Sequence, residues 1–70
     1  MSAEIEMFCA QRIPWAELCD ARRDQSAEEN IVARLIDEKP NRFSDDSIKT
    51  AVHHIVHVAK HYTVTDRPAS

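Results

Sequence analysis

Glycine is missing altogether from the 70 residues. Strand-and-turn folds rely on glycine for positive-φ turns and bulges, so its absence argues against an all-β architecture. The same absence removes the phosphate-cradling P-loop and the dinucleotide-binding turn, both of which need glycine backbone. Cysteine is almost as scarce. Cys9 and Cys19 are too few for a disulfide-dense secreted scaffold, and they read as small buried apolar side chains in a reducing compartment. No apolar run approaches the roughly 20 residues of a membrane span, so no membrane partner is expected. The opening stretch "MSAEIEMFCAQR" carries glutamates where an export signal requires lysine or arginine, which points to a cytoplasmic protein. A basic surplus is lacking too: the formal net charge is -3, the wrong sign for a general DNA coat.

What remains is a chain that is 43% hydrophobic and 30% charged, the balance of a folded globule. Its length sets one small domain with a modest core, so tight helix packing, a metal or a second subunit is expected to support it. The pattern is helical throughout. Ser2 and Glu4 suit the start of a first helix, in which Ile5, Phe8 and Cys9 share a face. Ile13-Pro14 interrupts it, and Pro14 suits the first turn of a second segment with Trp15, Leu18 and Cys19 on one stripe. With so few large side chains available, Phe8 and Trp15 are expected in the core; an exposed patch built from the two is the alternative. Ser26 followed by Glu29 has the form of a capping box for a third helix with Ile31, Val32, Leu35 and Ile36 inward, ended by Pro40. Ser44 caps the last helix, expected over about residues 45–62, with Asp45 and Asp46 at its positive end and Phe43 and Ile48 as a hydrophobic staple. The expected fold is therefore all-α: a small bundle of three to four short helices with a C-terminal antiparallel helical hairpin. It occupies residues 1–64, with a disordered tail at 65–70.

The last helix holds every histidine in the chain: His53, His54, His57 and His61. At about 100° per residue, Val52, Ile55, Ala59 and Tyr62 fall within about 40° of Ile48. Ala51, Val56 and Val58 widen the apolar stripe to roughly 160°. So broad a stripe promises surface beyond what one neighbouring helix covers, and the remainder must meet either the N-terminal helices, packed across the hairpin, or a second chain; the leftover surface suggests a homodimer with two-fold symmetry. The opposite face carries Lys49, Thr50, the four histidines and Lys60, with no acid beyond the first turn. It reads first as a solvated polar face. As a site it offers Arg42, His53, His57, Lys60 and His61 for binding another protein. Protonating all four imidazoles would move the formal charge from -3 to +1, by adding four. The pairs His53/His57 and His57/His61 also have the i, i+4 spacing with which two imidazoles reach one metal ion. No HExxH or CxxC pattern accompanies them, so no cofactor is expected, and His53, His57 and His61 stand as the candidates if one exists.

Catalysis needs a water-excluding cleft that fixes two or three groups. Cysteines on apolar stripes make poor nucleophiles, so no enzymatic activity is expected. Residues 26–59 can be laid over a helix-turn-helix, but the loop is long, has no turn glycine, and places Asp45 and Asp46 where phosphates would approach. The stretch "RLIDEKPNRFSDDSI" (residues 34–48) resembles the helix–loop–helix of the Hha/YmoA family, small helical partners of nucleoid proteins. The acidic residues that such proteins carry later in the third helix are replaced here by valine and histidine. The functional expectation is a non-enzymatic protein-interaction module, an inhibitor, adaptor or immunity-type protein. A small transcriptional or nucleoid regulator touching DNA or a DNA-binding partner as a dimer is the alternative, and the resemblance favours it. A metal-binding helical module through His53, His57 and His61 comes third.

Overall fold

A computed structural model describes residues 3–65, with side chains through His61. Among them are four helices: α1 (Ala3–Gln11), α2 (Trp15–Arg23), α3 (Gln25–Glu38) and α4 (Asp45–Thr65). The chain is an all-α bundle, and α4 is its spine, packing against each of the other three.

The joints follow from local chemistry. α1 closes in a tightened turn, with the Arg12 amide donating to the Cys9 carbonyl at 3.0 Å. Pro14 then takes extended geometry (φ -61, ψ 151) and its carbonyl accepts the Leu18 amide, starting α2. A single residue, Asp24, separates α2 from α3. Its backbone N–H donates to the Asp20 carbonyl, ending one helix, while its carboxylate accepts the Ser26 amide at 2.9 Å, capping the next. The capping box expected at Ser26 and Glu29 is thus corrected. An extended Asp24 (φ -140, ψ 113) puts a carboxylate over the second amide of the helix, the position a cap side chain reaches, and the helix begins earlier. The expected Ser2 cap lies outside the described residues.

Pro40 holds Lys39 in extended geometry (φ -66, ψ 152) and α3 stops there. The turn that follows is closed by the Phe43 amide on the Pro40 carbonyl at 3.1 Å. Ser44 Oγ accepts the Ser47 amide at 3.1 Å, the expected cap of α4. Phe43 and Ile48 are both buried beside it, as a staple requires. α3 and α4 lie antiparallel: Lys39 pairs with Asp45 at the closed end of the hairpin and Glu28 with His53 farther along. α4 continues to Thr65, beyond the expected end near Tyr62 and into the stretch read as a tail. The remainder of that tail, 66–70, lies outside the described residues.

The core is built on α4. Ile48, Ala51, Val52, Val56 and Ala59 are buried, and they meet Ile31 and Leu35 from α3, Ala21 from α2, Cys9 from α1 and Ile13 and Phe43 from the loops. Ile55 is half-buried against this cluster. From Ile48 to Ala59 the α4 stripe is thus buried or half-buried against the chain's own preceding helices, which leaves that stretch little surface for a second subunit; Tyr62 lies outside the described side chains. Trp15 is corrected as well: it opens α2 with 59% of its surface exposed, as does Met7 on α1.

Two substitutions test this account. Leu35→Ala removes a fully buried side chain and should lower unfolding free energy by about 2–5 kcal/mol, enough to leave much of so small a domain unfolded in a urea titration followed by circular dichroism. Asp24→Ala should cost about 1 kcal/mol and shift the midpoint visibly; Ser26→Ala, which supplies only its backbone amide to the cap, should shift it far less.

Candidate functional site

Two flanking helices divide the histidine face. His53 Nδ1 lies 3.1 Å from Glu28 Oε2 of α3. The next residue, His54, turns the other way and places Nδ1 2.7 Å from Glu6 Oε2 of α1. Consecutive helix residues stand about 100° apart, so one histidine reaches each neighbour and the two straddle the solvent-facing ridge of α4. The acids that meet this face come from other helices, which a reading of α4 alone misses. Both contacts lie at the surface, where such pairs contribute less than about 1 kcal/mol each.

His57 and His61 stand on the ridge between them. Their rings meet edge to face with centroids 4.9 Å apart, and both side chains are exposed. Neither forms a hydrogen bond or ion pair with a described residue. The three-histidine metal set is not assembled. His53 is drawn to Glu28, and among the described residues no group of three histidine, cysteine or acidic side chains is placed to hold an ion. Lys60 sits toward α2, lining a small depression with Arg22, Asp24, Glu28 and His53.

Arg42 belongs to another part of the molecule. It pairs with Glu4 of α1 and its guanidinium lies 4.8 Å from the centre of the Phe43 ring. Phe43 meets Phe8 edge to face at 5.7 Å, and Arg12 covers Phe8 at 4.1 Å. Met7, Gln11 and Pro40 complete a shallow groove floored by these aromatic rings and bordered by two guanidinium groups. Of the five residues expected to bind a partner, Arg42 lies in this groove, His53 and Lys60 line the α2–α3–α4 depression, and His57 and His61 stand on the ridge. They form three places rather than one surface. Met7 was legible in the sequence: it lies off the stripe of Ile5, Phe8 and Cys9, so a helical α1 turns it outward.

The bundle end between α1 and α3 is tied by Arg34. It donates to Glu17 Oε2 of α2 at 2.5 Å and to the Arg12 carbonyl at 2.8 Å, and it lies 4.0 Å from Glu38. The hydrogen bond to Glu17 is the main reason its guanidinium is held protonated even more firmly than usual, against a smaller desolvation effect. Glu17 Oε1 is enclosed without a hydrogen-bond partner among the described residues.

The two thiols, both free, differ. Cys9 is fully buried, and burial pushes its pKa above the ordinary 9.0, with Arg12 opposing and Glu6 adding to the rise. Cys19 is only half-buried, with Arg22 Nη1 3.5 Å from its sulfur. The expectation that both are enclosed holds for Cys9 alone.

Comparison of the chain with protein-family models, with curated proteins and with solved structures gives no match. None of these comparisons supports the resemblance of residues 34–48 to the Hha/YmoA family.

The thiols give a test with a worked sign. Cys9 has a raised native pKa, so its contribution to stability is complete below pH 9.0 and is lost as pH rises from there through the native value. Cys9→Ala should flatten the alkaline limb of a stability–pH profile. In the native protein an aromatic disulfide reagent should titrate Cys19 first, with Cys9 reacting only on unfolding.

Proposed function

We propose that the protein is a non-enzymatic interaction module that binds another protein through its N-terminal helices. One observation carries this reading: Met7 and Trp15 are each 59% exposed, although the chain has a single tryptophan and two methionines. A core-poor domain gains from enclosing such side chains, and Trp and Arg are the residues over-represented where binding energy concentrates. Beside Met7, the groove of Phe8 and Phe43 offers apolar floor, and Arg12 and Arg42 offer donors at its border. A partner segment that presents an apolar side chain next to a carboxylate has matching chemistry. It would bury the apolar group on the rings and share the guanidinium donors of Arg12, which already meets Glu38 and the Phe8 carbonyl, and of Arg42, which pairs with Glu4.

The reading moves the binding residues from the histidine face to the N-terminal side, keeping Arg42. It also favours an adaptor or inhibitor over catalysis, because the five candidate polar residues, Arg42, His53, His57, Lys60 and His61, are spread over three places.

The experiment is affinity capture of a partner with the full chain, followed by a calorimetric titration of the purified pair. Met7→Ala combined with Trp15→Ala should weaken binding by about 2 kcal/mol, near 30-fold in Kd, while the melting temperature of the free protein stays unchanged. Wild-type affinity in the double variant would remove the proposed surface.

A further inference from the structure

We propose that His57 and His61 are one half of a binding site for a zinc-class divalent cation, and that a second copy of this chain supplies the other half. Imidazole is a good ligand for zinc, copper and nickel ions. Zinc takes four ligands in a tetrahedron, with Zn–N distances of about 2.0–2.1 Å. Two imidazoles that share such an ion have ring centres about 5 Å apart, by the same geometry. The His57 and His61 rings stand 4.9 Å apart one turn along the exposed ridge of α4.

These two are also the histidines that the fold leaves available. His53 and His54 are each engaged by a carboxylate from a neighbouring helix, Glu28 and Glu6. Neither His57 nor His61 has a hydrogen bond or ion pair with a described residue, so their ring nitrogens are free to ligate.

Within one chain the site is half complete. Among the described residues no third histidine, cysteine or acid joins the pair, so the described part of one subunit offers two nitrogens and leaves two positions open. A two-fold axis through the ion closes the tetrahedron with the same pair from a second copy, giving four neutral nitrogen ligands. Charge favours the arrangement. Each subunit carries a formal -3, two together carry twice that, and a dication between them offsets repulsion. Lys60, on the same face roughly 60° around the helix from His57, weighs against the ion. It has room to turn toward Glu28 in the depression that both line.

The site is distinct from the N-terminal surface and does not depend on it. The test uses the untagged full chain, prepared metal-free, in sedimentation velocity and native mass measurement with zinc chloride. One zinc per two chains should double the particle mass, and a chelator should restore the monomer. His57→Ala and His61→Ala should each abolish the doubling, and His53→Ala should leave it intact; all three side chains are exposed, so each variant should keep the wild-type circular dichroism spectrum. A particle whose mass zinc does not change, zinc bound one per monomer without association, or doubling that survives His57→Ala would each overturn the proposal.

Discussion

The apolar stripe of α4 is the constraint from which the rest of the molecule follows. It is wide, runs along a 21-residue helix, and in a chain of this length there is little else to cover it. Ile48, Ala51, Val52, Val56 and Ala59 reach near-complete burial only because α1, α2 and α3 all lie against the same helix. Three short helices can surround a longer one only if the chain turns sharply between them. Pro14, Asp24 and the Pro40–Ser44 turn provide those reversals without any positive-φ residue among the described residues. A chain with no glycine must make its corners from extended residues and side-chain caps, and Asp24, serving two helices at once, is the tightest of them.

Once the stripe is enclosed, polar contacts decide how the surrounding helices sit. Arg34 is the most connected, reaching α2 through Glu17, the end of α1 through the Arg12 carbonyl, and its own helix through Glu38. His53 and His54 fix the two flanks of α4 in the same manner, one to α3 and one to α1. Each such contact is weak at a solvated surface. Their value is geometric: they select one rotation of each short helix about α4 from several that would bury similar area.

Most of the architecture was legible in the residues because it rests on local chemistry. Ser44 with Phe43 and Ile48 marks the start of α4, Pro40 stops α3, and Ile13-Pro14 separates α1 from α2, each by a rule that involves neighbours in sequence. The misreadings have a common cause. The Ser26–Glu29 pattern is a valid cap in isolation, but Asp24 had already capped the helix. Trp15 fits an apolar stripe with Leu18 and Cys19, yet it is the first residue of α2, where a helix end leaves its side chain outside the bundle. The α4 stripe is wider than its hairpin partner covers, and sequence alone does not say whether the N-terminal helices or a second chain takes the rest; α1 and α2 both pack on it. For the candidate site, the i, i+4 spacing of His57 and His61 was visible from the start. What separated them from His53 was not, since Glu28 and Glu6 reach that helix from residues 25 and 48 positions away.

The placement of exposed groups gives the molecule two faces of different character. Around α1 the surface is apolar and aromatic, with arginine at its edges, and it suits a partner whose own shape completes the groove. Along the outer ridge of α4 it is narrow, polar and rich in nitrogen ligands, and it suits a small ion or a copy of itself. Met7, Trp15, His57 and His61, the most exposed members of the two faces, lie outside the core positions that hold the bundle together. A domain whose stability resides almost wholly in one covered stripe can change either face without unfolding. The exposed side chains are thus separate from those that hold the core, and Phe43, buried in the core and lining the α1 groove, is where the two meet.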